Sequence, residues 1–89
     1  MISQEIDIIN KLGLHARAAA KFVSTANQFA STIQVANGDR DANGKSIMSV
    51  MMLAASQGTR LTLTIDGEDE GEAMSALEEL INNYFGEGE

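Results

Sequence analysis

Arg60-Leu61-Thr62-Leu63-Thr64-Ile65-Asp66 is the stretch that sets the architecture. Its period of two puts Leu61, Leu63 and Ile65 on one face and the β-branched Thr62 and Thr64 on the other, the pattern of a strand with one buried side. Gly67 turns the chain. From about Asp69 to Tyr84 the period lengthens, and Ala73, Met74, Leu77, Leu80, Ile81 and Tyr84 fall on one helical stripe. Asp69, Glu70 and Glu72 in its first turn complement the positive end of the helix dipole. A half-apolar strand followed by a half-apolar helix predicts a helix lying across a sheet.

Working back towards the N-terminus, residues 2–9 alternate, with Ile2, Gln4, Ile6 and Ile8 on one side, and Asn10-Lys11-Leu12-Gly13 ends that strand. From Ala16 to about Ala30 the spacing of Ala19, Phe22, Val23, Ala26 and Ala30 predicts a helix. Thr32–Ala36 reads as a strand, Asn37-Gly38 as a two-residue hairpin turn, and Arg40–Ala42 as the returning strand. Asn43-Gly44 makes another turn, and Ser46 can cap a short helix from Ile47 to about Ala54. The order β-α-β-β-α-β-α predicts an α+β open-faced sandwich. Its sheet is four-stranded and mainly antiparallel, with two long helices and one short helix on one face. One domain spans residues 1–85, and Gly86-Glu87-Gly88-Glu89 reads as a frayed, flexible tail.

With 89 residues and no cysteine, the chain has neither a disulfide nor a thiol nucleophile, and its single histidine rules out a multi-histidine metal site within one chain. The formal net charge of −7, from 13 acidic against 6 basic residues, argues against nucleic acid as the main partner. The acids crowd the last quarter, whereas Lys11, Arg17, Lys21 and Lys45 lie in the first half. A locally basic region on an acidic protein suits an acidic partner or a bound anion. No apolar run approaches the length of a membrane span, and the N-terminus lacks a signal-peptide pattern, so a cytoplasmic protein is expected.

His15 stands where a strand gives way to a helix, with Arg17 two positions on. A helix start offers unpaired main-chain N–H groups and a positive dipole end; a guanidinium added to these makes an anion site. The plainer reading is a histidine cap. The chemical reading is that imidazole, neutral near neutrality and nucleophilic, carries the anion itself as a phosphohistidine. Main-chain N–H groups of Ala16, Arg17 and Ala18 would then hold the phosphate, and small Ala16, Ala18 and Ala19 would leave the site open.

Gly13-Leu14-His15-Ala16-Arg17 followed by Ala19-Ala20-Lys21-Phe22-Val23 resembles the active-site signature of HPr, the histidine-containing phosphocarrier family of bacterial phosphotransferase systems. The likeness continues through Gly44-Lys45-Ser46-Ile47-Met48, Leu53, Gln57-Gly58-Thr59 and Asp66-Gly67-Glu68-Asp69. It implies that His15 accepts a phosphoryl group on Nδ1 from an enzyme I-type donor, assisted by Arg17, and passes it to an enzyme IIA-type acceptor. Phosphoenolpyruvate is then the ultimate donor, and this chain needs no cofactor. Sugar-branch members usually carry proline where this chain has Ala18. That alanine, with the methionine-rich run from Ser46 to Ala55, is more similar to NPr, the nitrogen-branch relative.

The short helix from Ile47 is apolar around most of its circumference, though Val50, Leu53 and Ala54 suffice for an inward face. Ile47, Met48 and Met51 are therefore expected to meet partners, a use that suits adaptable methionines. Ser46 is a cap by its physics, and the resemblance adds a possible regulatory phosphorylation there. Lys45-Ser46 does not complete a P-loop, because Asp39 stands where that motif needs glycine. A sugar-branch role and a regulatory binding module of the same fold that carries no phosphate stay open as alternatives. A monomer is expected, since an oligomer would cover the docking surface.

Overall fold

β4 (Arg60–Asp66) occupies an inner position because its apolar face is the most regular. The computed structural model, which describes residues 1–87, pairs it antiparallel with β1 (Ile2–Asp7) on one side and β2 (Thr32–Asn37) on the other. β3 (Arg40–Asn43) adds to β2, so the sheet runs β1-β4-β2-β3 with every pair antiparallel. The register sets Leu61 beside Ile6, Leu63 beside Val35 and Ile65 between Ile2 and Ile33. These aliphatic side chains form one continuous apolar layer. Burying each large one contributes about 1.5–3 kcal/mol.

Three helices cover that layer: α1 (Ala16–Ala26), α2 (Ile47–Met51) and α3 (Glu70–Asn82). α1 sends Ala18, Ala19, Phe22, Val23 and Ala26 inward, and α3 sends Ala73, Met74, Leu77 and Ile81. The expected open-faced α+β sandwich is what forms. Among the described residues no helix is long and apolar enough to cross a membrane.

Departures from the expected boundaries lie at the ends of elements. α1 stops at Ala26 and not near Ala30: Gln28 and Phe29 N–H donate to the Thr25 and Ala26 carbonyls three residues back, at 3.1 and 3.3 Å, and the Asn27 amide adds a bond to the Val23 carbonyl at 3.0 Å. The hairpin loop is Gly38-Asp39, one residue later than the expected Asn37-Gly38, since Asn37 still pairs with Arg40 and donates its side chain to the Leu53 carbonyl at 2.9 Å. Gly38, at φ +65°, supplies the positive φ that the first loop position requires. α2 ends at Met51, and Ala54 adopts φ +52°.

The end of α3 differs most. Its spacing puts Tyr84 on the inward stripe, yet it is exposed, and Phe85 is wholly buried instead. Both residues adopt left-handed φ, +55° and +52°, within a 3-10 turn spanning Tyr84–Gly86. The Lys21 ammonium donates to the Phe85 carbonyl at 2.6 Å, and Glu87 N–H donates to the Tyr84 carbonyl at 2.8 Å. Gly88 and Glu89 lie outside the described residues.

Asp69 also departs from its expected part. Its carboxylate makes no cap on α3 and accepts N–H groups of Ala30 and Ser31, at 2.8 and 3.0 Å, together with the Ser31 hydroxyl. The Ser31 hydroxyl first, then the Ala30 N–H, hold the carboxyl below its ordinary pKa. A depressed folded pKa adds stability above the unfolded aspartate value of about 3.9, and that share is lost as pH falls through the folded value. Asp69→Asn is accordingly expected to lower the urea midpoint near neutrality while flattening its decline in acid. A decline as steep as that of the parent protein would show that Asp69 is not one of its causes.

Left-handed backbone costs a non-glycine residue about 1–2 kcal/mol, whereas glycine loses about 0.4–1 kcal/mol through its more disordered unfolded state. Ala54→Gly is thus expected to stabilise the fold by about 0.5–1 kcal/mol, read as a higher urea midpoint at unchanged slope. A lower midpoint would mean that the Ala54 methyl contributes packing which outweighs the strain.

Candidate functional site

The site is built on a loop held against the chain that follows α2. Gly13 sits at φ +67°, and a Cβ there would lie 2.5 Å from the Ala55 carbonyl oxygen and 2.8 Å from Ser56 Cα. Only glycine allows that approach. Leu14 N–H then donates to the Ala55 carbonyl at 2.8 Å, and the buried Asn10 amide donates to the Gly13 carbonyl at 2.8 Å. The next residue is His15, presented by a backbone clamped on both sides.

His15 is the N-cap of α1, extended at φ −73° and ψ 177°. Its carbonyl accepts the first intrahelical bond, from Ala19 N–H at 2.8 Å. Nδ1 accepts the Arg17 N–H at 3.3 Å, and Nε2 meets the Glu87 carboxylate. The side chain remains 27% exposed, so one edge of the ring can be reached from solvent. The ring thus caps the helix through Nδ1 while its Nε2 faces the Glu87 carboxylate.

Arg17 is exposed, and with Leu12, Gly86 and Glu87 it lines a hollow of about 300 Å³. Among the described residues it has no carboxylate within ion-pair distance. Its guanidinium is available to an incoming anion. Ala16 is exposed as well, whereas Ala18 and Ala19 are wholly buried. Those two do not leave the site open, because their methyl groups pack α1 onto the sheet; Ala18 can face an anion only through its main-chain N–H.

Glu87 and Asn10 join the site without having been expected there. One Glu87 oxygen accepts the Asn10 amide at 3.0 Å while the other meets His15. Burial alone would raise the Glu87 pKa, but the hydrogen bonds from His15 and Asn10, with the nearby charge of Lys21, outweigh it and leave the carboxyl below its ordinary value. Asn10 reads in the sequence as a strand breaker, and Glu87 as part of a tail. The aromatic Phe85 ahead of Gly86 is the one signal that this end is anchored.

On α2, the Ser46 hydroxyl accepts Ser49 N–H at 3.4 Å as the N-cap. Val50 and Leu53 face inward; Ile47 and Met51 are exposed, and Met48 and Met52 are 73% and 71% exposed. Leu12, on the His15 loop, is 67% exposed and extends the apolar surface available near the site. A larger hollow of about 430 Å³ lies between β3 and α2, lined by Arg40, Asp41, Ser49, Met52 and Leu53, and includes neither His15 nor Arg17. Among the described residues no group of three or more acidic, histidine or cysteine side chains is arranged to hold a metal ion.

The family model described as the PTS HPr component phosphorylation site matches residues 2–83. The phosphocarrier protein HPr of Neisseria meningitidis serogroup A is 62% identical over 89 residues, covering all of both chains. HPr of Pseudomonas putida is 58% identical over 90 aligned residues, again covering both chains fully. The crystal structure of HPr-C-His from Thermoanaerobacter tengcongensis superposes with a TM-score of 0.94 at 49% identity, over 98% of each chain. With relatives that match it end to end and a solved fold that overlays it, the chain belongs to the HPr family: it is a phosphocarrier protein of the phosphotransferase system and not an enzyme.

Proposed function

We propose that His15 is the phosphoryl acceptor, through Nδ1, from a phosphorylated enzyme I-type protein, and that it delivers the group to a histidine of an enzyme IIA-type protein. The observation that carries this is the ring itself, with Nδ1 accepting a main-chain N–H at a helix start and its side chain partly open to solvent. In the forward step the Nδ1 lone pair forms the N–P bond while the donor's N–P bond breaks and its electron pair returns to the donor nitrogen. The long contact from Arg17 N–H is readily exchanged for a phosphoryl oxygen. Main-chain N–H groups of Ala16, Arg17 and Ala18 then face the dianion, and the Arg17 guanidinium adds a charge-assisted contact.

Ile47, Met48 and Met51 form the docking face for both partners, with Met52 and Leu12 extending it. Adaptable thioethers suit a surface that must fit donor and acceptor in turn. A phosphate on Ser46 would sit at the α2 start beside this face and repel an acidic partner. Ala18 in place of the usual proline and the methionine-rich α2 support the nitrogen-regulatory branch over the sugar branch. The carrier is monomeric and cytoplasmic in this reading, needs no cofactor and binds no nucleic acid.

Incubation with phosphoenolpyruvate and a nitrogen-branch enzyme I is expected to give an acid-labile, base-stable phosphoadduct that His15→Ala abolishes. Labelling of His15→Ala at the parental rate would defeat the assignment, and association without any transfer would instead identify a regulatory module. Faster transfer from a sugar-branch enzyme I would overturn the branch. Met48→Asp is expected to reduce kcat/KM for the carrier as substrate about tenfold, as loss of a contact residue does, with no change in thermal melting. An unchanged value would remove Met48 from the docking face.

A further inference from the structure

Resting on the reading of His15 as phosphoryl acceptor, we infer that Glu87 is a positioning residue for the transfer: it holds the proton on Nε2, keeps the Nδ1 lone pair available, and balances the charge that the ring acquires. Three features of the chain build this contact. The buried Asn10 amide bridges the Gly13 carbonyl and Glu87, at 2.8 and 3.0 Å, and so ties the carboxylate to the loop that presents the histidine. Lys21, on α1 itself, fixes the Phe85 carbonyl two residues before Glu87. Phe85 anchors the segment in the core.

Consecutive left-handed residues, Tyr84 and Phe85, make the geometry possible. A helix continued from Asn82 would carry Glu87 about 7.5 Å farther along its axis, at 1.5 Å per residue. The left-handed pair ends the helix and turns the chain back over α1. Strained backbone of this kind persists only where its surroundings over-determine it, and here the core seat of Phe85 and the Lys21 clasp do so.

The chemistry follows from the proton's place. When Nδ1 attacks phosphorus, the Nε2–H stays on the ring and the imidazole becomes a phosphoimidazolium. Glu87 remains ionised and faces that cation, much as an orienting carboxylate serves an imidazole general base. On delivery the N–P bond breaks, the electron pair returns to Nδ1, and the ring is neutral again with its proton still on Nε2. One contact thus serves loading and unloading alike.

The test pairs imidazole ¹⁵N NMR of the unphosphorylated full chain with rapid-quench transfer from phosphorylated enzyme I. The parent protein is expected to show mainly the Nε2–H tautomer. Glu87→Ala should mix the tautomers and slow transfer about tenfold or more. Glu87→Gln retains an acceptor but no charge, so it should preserve the tautomer and still slow transfer. Thermal melting of Glu87→Gln checks that the fold is kept. Parental spectra and rates in both variants would overturn the inference while leaving His15 as acceptor; a parent chain that takes no phosphate would overturn the carrier reading, with the tautomer result still judging the contact.

Discussion

One close approach determines where the histidine sits: Gly13 packed against the Ala55 carbonyl. Without it the Leu14 N–H cannot reach the same oxygen, and the turn before α1 loses its hold on the chain after α2. That single contact links the two parts of the proposed reaction, the nucleophile at the start of α1 and the docking face on α2. A partner seated on the exposed methionines meets a ring whose backbone is tied to the same stretch. Precise placement is what a phosphoryl relay requires, because misalignment of reacting atoms by about 1 Å can cost two orders of magnitude in rate.

The electrostatics are narrower than the charge distribution along the chain implies. Lys11, Arg17, Lys21 and Lys45 read together as a basic region, but two of the lysines are committed to structure. Lys21 donates to the Phe85 carbonyl and Lys45 to the Phe29 carbonyl, at 2.6 and 2.7 Å. Positive potential at the site thus comes from Arg17, the start of α1 and Lys21, whose charge still acts on Glu87 from its fixed position. A carrier that must release its cargo is well served by few cations. A denser cluster would stabilise the phosphorylated form and resist unloading.

Strands and helix faces were legible because burial imposes period: β4 falls within Arg60–Asp66 as its alternation demands, and Phe22, Val23, Leu77 and Ile81 are core residues as their spacing requires. Helix ends were less legible. Asn27 and Asn37 each send an amide to a carbonyl, and periodicity carries no record of such a bond. Within the site, His15 and Arg17 follow from local pattern, since helix-start chemistry is written in adjacent residues. Glu87 and Asn10 do not. They are 77 positions apart and meet only because Tyr84 and Phe85 turn left-handed, in residues whose types give no hint of it.

Ala18 shows how a small backbone change alters an anion site without altering the fold. Its methyl group is wholly buried, so its packing role is local and alanine-sized. Proline at this first-turn position would supply a preset φ but no N–H. Alanine reverses that balance: the helix start gains a donor, with Ala16, Arg17 and Ala18 all able to face a phosphoryl group, and it gives up some rigidity. The rigidity is restored from outside the helix. Leu14 is pinned to Ala55 before the turn, Lys21 is clasped to Phe85 beyond it, and the ring caps the helix through Nδ1. A helix start so braced does not depend on proline for its geometry, and in the proposed reaction the additional N–H would be available to the phosphate.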